Sequence, residues 1–127
     1  MDRLRSPLGR AIGLGSAKEG VEHWWAQRVS AVALIPLGLW FAASLVALAG
    51  ADRAAVLAWL HAPVQAILAI LLLIAVFYHA ALGLQVVVED YVHAEWLKLS
   101  SLVAMRLVSF GLAVAGIFAV LRIAFGG

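Results

Sequence analysis

Apolar residues fall into three long blocks along this chain, and nearly all charged residues sit in the arm before the first block or in the seams between them. The first block, 29–49, carries no formal charge, and neither does the second, 63–88. The third, 99–125, is interrupted by Arg106 and Arg122. Each block is near or above the roughly 20 residues that a helix needs to cross a bilayer. Backbone polar groups inside lipid must be satisfied within the segment, so the pattern predicts helices and not strands. Arg106 and Arg122 are sixteen residues apart, roughly 24 Å along a helix axis. At that spacing each can extend to an opposite interface. Counting flanking residues, the helices are expected at about 23–49, 63–90 and 97–125, preceded by an N-terminal arm, 1–22.

Between the first two blocks, 51–60 predicts a short interfacial helix, with Asp52 at its start and Trp59 as an interface anchor. Pro63 then stands where a helix tolerates proline best, at its first position. Pro36 falls inside the first helix and predicts a kink or loosened hydrogen bonding there. Small residues recur in all three blocks, which favours close helix packing.

Composition agrees with an all-α integral membrane protein of one domain, 1–127. Hydrophobic residues are 65% and charged residues 13% of the chain, about half the charged share of a soluble domain. With no cysteine, the chain alone builds neither a disulfide framework nor an iron–sulfur cluster. Nothing in the pattern suggests nucleic-acid binding. The placement of charge says more than the net value of +2. Arg3, Arg5, Arg10, Lys18, Arg28, Lys98 and Arg106 lie on one side of the expected topology, and only Arg53 and Arg122 on the other. Lys and Arg collect on the cytoplasmic side, so the N-terminus is expected inside and the C-terminus outside. The arm does not read as a cleaved signal, nor as an organelle transit peptide. A bacterial inner membrane is the simplest location.

Three polar clusters break the apolar pattern. His79, inside the second helix, lies ten residues before Glu89, roughly 15 Å from that interface. A histidine at this depth costs free energy and is a functional-site hypothesis. It admits three readings: a hydrogen bond across helices, haem ligation, or proton relay. Gly83, one turn on, leaves room for a flat group on the same face. If His79 ligates a b-type haem, the second axial ligand must come from elsewhere. His23, His61 and His93 lie near helix ends, and His61 is eighteen residues from His79, roughly 27 Å along a helix. The second ligand is therefore expected from another polypeptide, and three helices imply a larger bundle.

The second cluster is Glu89-Asp90-Tyr91-Val92-His93. Asp90 shares a helix face with His79. Tyr91 reads either as a membrane-belt residue or as a hydrogen-bond donor to a quinone carbonyl. The third is His23-Trp24-Trp25-Ala26-Gln27-Arg28-Val29-Ser30. Its tryptophans read as interface anchors. Arg28 reads either as a topology signal or as a fork-shaped donor for a carboxylate such as a haem propionate.

In combination these residues resemble the small hydrophobic membrane anchor subunit of succinate dehydrogenase. The matching pieces are His23-Trp24 with Arg28, Val29 and Ser30, then His79 with Gly83 and Gln85. The run from Gln85 through Val86, Val87, Val88, Glu89, Asp90, Tyr91 and Val92 to His93 is the most specific part. The resemblance covers about 20–93 by motif, and the third helix by type. The family usually has a polar or threonine-like residue before Asp-Tyr, where this chain has Glu89.

The resemblance implies a respiratory complex in which a flavoprotein oxidises succinate and an iron–sulfur subunit passes the electrons on. Two membrane anchors then hold haem b and a site for ubiquinone or another quinone. It implies His79 as one axial haem ligand, with the other on the companion anchor subunit, and Gly83 packing the haem. Tyr91 would hydrogen-bond the quinone and Asp90 would orient or charge-tune that site. Arg28 would serve the haem propionates or the quinone pocket. Two further classes stay open: the anchor of a fumarate reductase-type, quinol-linked complex, and a non-redox assembly or transporter subunit with His79 as structural glue.

Overall fold

A computed structural model describes residues 16–126, with side chains from Gly20 onward. Arg3, Arg5 and Arg10, and the side chain of Lys18, lie outside what it describes. Among the described residues four helices follow one another: α1 Ser16–Ala47, α2 Arg53–His61, α3 Pro63–Tyr91 and α4 Glu95–Gly126. Helices α1, α3 and α4 are each long and apolar enough to cross a membrane, so the chain is a three-span membrane protein.

The observed helices outrun the apolar blocks because hydrogen bonding does not stop where lipid does. Helix α1 is already helical at Ser16, the first described residue, and not only from near residue 23, taking in Ala17, Lys18 and Glu19, residues with good helix propensity. Arg28 therefore lies well inside α1 and not at its start. Helix α1 also runs unbroken through Pro36. The turn after it passes through Gly50 at φ 80°, a left-handed conformation that glycine adopts without steric cost.

The short second helix starts where the sequence indicates. Asp52 caps α2, its carboxylate accepting from the Ala55 amide at 2.9 Å. Pro63 sits in the first turn of α3, where its missing N–H would lack a partner anyway. Trp59 does more than mark an interface. Its ring stacks on Trp40 of α1, with centroids 5.6 Å apart and planes 15° from parallel. Trp40 Nε1 in turn donates to Gln65 Oε1 of α3 at 2.9 Å. This clasp joins α1, α2 and α3 at one end of the molecule. Nearby, His61 Nδ1 donates to the Ile123 carbonyl at 3.3 Å, tying α2 to the end of α4.

Helix α3 stands between α1 and α4 and packs on both, whereas α1 and α4 share no comparable contact. The three spans thus form a single layer. On the α4 side, a Cβ added at Gly116 would come within 3.1 Å of Leu73 Cδ1, so glycine sets how closely α3 and α4 approach. Little is buried: Ala66, Ala75, Val120 and Ser30 among the described residues. A layer one helix thick has two open faces, and most of its large apolar side chains point outward. That is unfavourable in water and ordinary in lipid or against other membrane helices.

Candidate functional site

The α1–α3 seam contains the buried polar chemistry. Three polar residues of α1, His23, Gln27 and Ser30, recur at intervals of four and three, the spacing of one helix face. Ser30 is 6% exposed. Its Oγ donates to the Gln27 carbonyl at 3.0 Å and lies 2.9 Å from His79 Nδ1. Gln27 faces Gly83: a Cβ built at Gly83 would meet only Gln27 Nε2, at 4.0 Å, and otherwise open space. The antiparallel register is thereby fixed, with Ser30 beside His79 and Gln27 beside Gly83.

His79 is half-buried in the middle of α3. Its Nδ1 is engaged by Ser30, and Nε2 has no hydrogen-bond partner among the described residues. Two more polar atoms lie toward the Tyr91 end of the seam. His23 Nε2 and Gln27 Oε1 are enclosed and lack partners among the described residues. Enclosed polar atoms are rarely left unpaired, so these two are the under-satisfied atoms of the seam among the described residues.

Arg28 neighbours Gln27 in sequence but is exposed. Its guanidinium lies over the Trp24 ring, 5.3 Å from the centroid, one turn toward the Tyr91 end. Trp24 itself meets Trp25 edge-on at 5.0 Å. By the same register Arg28 is close to the Gly83 level, with its guanidinium leaning from there toward Tyr91. Tyr91 is the last residue of α3, eight positions beyond Gly83, roughly 12 Å farther along the axis. It is 76% exposed, and Asp90 is exposed as well. Both are open to a group or chain lying outside this one. The structure brings His79 together with Ser30, and Gly83 with Gln27. It does not bring Asp90 or Tyr91 to Arg28.

A second polar chain ties α3 to α4. Arg106 donates to Gln85 Oε1 at 3.1 Å, and Gln85 Nε2 donates to Glu89 Oε1 at 3.0 Å. Arg106 is thus held to a neighbouring helix and does not simply reach for an interface. Glu89 ends this chain of hydrogen bonds. Two apolar clefts of about 480 and 540 Å³ flank a ridge of α3 formed by Ile74 and Tyr78. Neither is lined by His79, Asp90 or Tyr91.

Sequence reasoning singles out Arg28 in the α1 cluster and gives Gln27 and Ser30 no role. The signal for them is present as three polar residues on one face of an otherwise apolar helix. What the sequence lacks is the register that sets that face against His79.

A three-span layer with a half-buried mid-helix histidine and two open faces defines a membrane subunit that is completed by other chains. The chain belongs to the succinate dehydrogenase/fumarate reductase transmembrane subunit family, whose model matches residues 2–120. It is 35% identical over 117 residues to the succinate dehydrogenase hydrophobic membrane anchor subunit of Rickettsia bellii, covering 92% of this chain and 94% of that one. The subunit of the same name from Paracoccus denitrificans is 33% identical over 126 residues, covering 98% and 95%. The succinate dehydrogenase membrane anchor subunit of Reclinomonas americana is 27% identical over 95 residues, covering 72% and 79%. No solved structure matches the chain.

Proposed function

We propose that this chain is a membrane anchor subunit of a succinate:quinone oxidoreductase, supplying one axial ligand to haem b and part of the quinone site. The observation that carries the reading is His79: half-buried in mid-span, its Nδ1 held by α1 and its Nε2 without a partner among the described residues. Imidazole nitrogen is a common axial ligand to haem iron. The residues present fit that group. Gly83 leaves open space one turn from His79. Arg28, exposed and leaning toward the Tyr91 end, offers a guanidinium donor for a propionate. The haem, when bound, supplies a one-electron redox centre. Residues of this chain hold it, and the second ligand comes from a companion anchor subunit whose helices cover a face of the layer.

Tyr91 and Asp90 contribute to the quinone site. A phenol donates a hydrogen bond to a quinone oxygen, and that bond strengthens as the oxygen gains negative charge on reduction. Asp90 beside it orients the phenol and tunes the local charge. The electrons come from a flavoprotein through an iron–sulfur subunit docked on the Tyr91 side, which is the cytoplasmic side of a bacterial inner membrane. Names of the relatives favour succinate oxidation over the fumarate-reducing direction.

The test is His79→Ala in the assembled complex. Loss or strong alteration of the reduced b-type bands is expected, while succinate oxidation by the soluble subunits, followed with an artificial acceptor, is much less affected. An unchanged spectrum in an assembled complex would remove His79 from the ligand set.

A further inference from the structure

We propose that Ser30 is a positioning residue for the haem ligand: it fixes the tautomer of His79, leaving Nε2 unprotonated for the iron, and lowers the haem potential. The inference rests on the haem reading and deepens it. Counting hydrogens assigns each contact its direction. Ser30 Oγ has one proton and two close neighbours, the Gln27 carbonyl oxygen at 3.0 Å and His79 Nδ1 at 2.9 Å. A carbonyl oxygen has no proton to give, so the Ser30–Gln27 contact is a hydrogen bond only when the hydroxyl proton occupies it, as in the common helical back-bond. With the proton there, the bond to the imidazole runs the other way, Nδ1–H donating to Ser30 Oγ. In a neutral imidazole the proton on Nδ1 leaves a lone pair on Nε2.

The same bond alters the strength of the ligand. A hydrogen bond from the non-ligating nitrogen raises the basicity of a metal-bound imidazole and fixes its ring. The more basic ligand favours the ferric state, so the bond lowers the reduction potential. Ser30 is well suited to accept here. It is 6% exposed, away from competing water, and donating to Gln27 polarises its oxygen toward acceptance. Helical serine and threonine commonly bond back to a carbonyl three or four residues earlier, so α1 itself holds the hydroxyl in place.

The experiment compares Ser30→Ala, Ser30→Thr and His79→Ala in the purified complex. Its readouts are an equilibrium redox titration of the b-type bands and the low-temperature paramagnetic spectrum of the ferric haem. Ser30→Ala is expected to retain the b-type bands with a higher midpoint potential and shifted ferric g-values. Ser30→Thr, which keeps the hydroxyl and its back-bond, is expected to restore both. A Ser30→Ala complex with wild-type potential and g-values overturns the proposal, and so does a Ser30→Thr complex that behaves like Ser30→Ala. If Ser30→Ala fails to assemble, Ser30→Cys, similar in size but a weak acceptor, is titrated in its place and judged by the same criteria. His79→Ala separates the role of Ser30 from the haem reading beneath it. Bands that survive His79→Ala defeat the haem reading itself, whereas bands lost there with an unmoved Ser30→Ala defeat only the role of Ser30.

Discussion

Single atoms decide most of the chemistry assigned to this chain. Tyr91→Phe keeps the ring and deletes one hydroxyl, and Tyr91 stands 76% exposed at the end of α3. Quinone reduction is expected to fall several-fold, with haem content and flavin-level succinate oxidation retained. Steady-state assays with a quinone and with an artificial acceptor, run in parallel, separate the two. Wild-type quinone kinetics in Tyr91→Phe would return Tyr91 to the role of a belt residue. Arg28→Ala should act more broadly, because its guanidinium lies between the levels of His79 and Tyr91. Reduced haem occupancy together with slower quinone reduction is the expected result, measured as haem per flavin and as turnover. Of these residues, the sequence exposes the unusual ones directly: a histidine in mid-span, an arginine beside paired tryptophans, a carboxylate next to a phenol. Ser30 and Gln27 are ordinary residues whose importance comes from what stands opposite them, and no local pattern states that.

Among the elements, α2 and the α3–α4 contact offer the cleanest tests. Asp52→Ala removes the cap on α2, a change that costs ~1 kcal/mol in typical helices. A small fall in thermal stability of the complex with unchanged turnover is expected, because the cap is far from His79 and Tyr91. Gly116→Ile would drive a branched side chain into Leu73, which already lies 3.1 Å from where a Cβ would be. Overpacking of this kind costs about 1–3 kcal/mol, so lower assembly yield and lower thermal stability are expected. Gly116→Ala should be tolerated better, since the end of a leucine can move by a few tenths of an ångström. A Gly116→Ile complex as stable as the wild type would show that α3 and α4 can separate freely. The identity of each helix was legible in the sequence because lipid imposes an apolar block of defined length, and Asp52 and Pro63 mark boundaries through their backbone chemistry. The helical turns of α1 before residue 23 were not legible that way, because they are polar and apolarity ceases to report helix outside lipid.

For the whole molecule, orientation and incompleteness are the open properties. The asymmetry of Lys and Arg predicts the N-terminus in the cytoplasm and the C-terminus outside. A reporter active only in the cytoplasm, fused after Gly127, should be silent, and activity there would reverse the topology. The layer arrangement could not be read from three apolar blocks, since three helices can equally close into a triangle. What selects the row is the small, polar-lined face that α3 offers to α1 and the separate glycine-set face between α3 and α4. Among the described residues, two side-chain hydrogen bonds cross from α1 to α3, one in mid-span and one near the Pro63 end: Ser30 with His79, and Trp40 with Gln65. Mechanically, α1 is pinned to α3 at two points. A shaft pinned twice can neither slide nor turn without shearing both pins, so the height of the His79 ring in the bilayer is set partly by a tryptophan near the opposite surface.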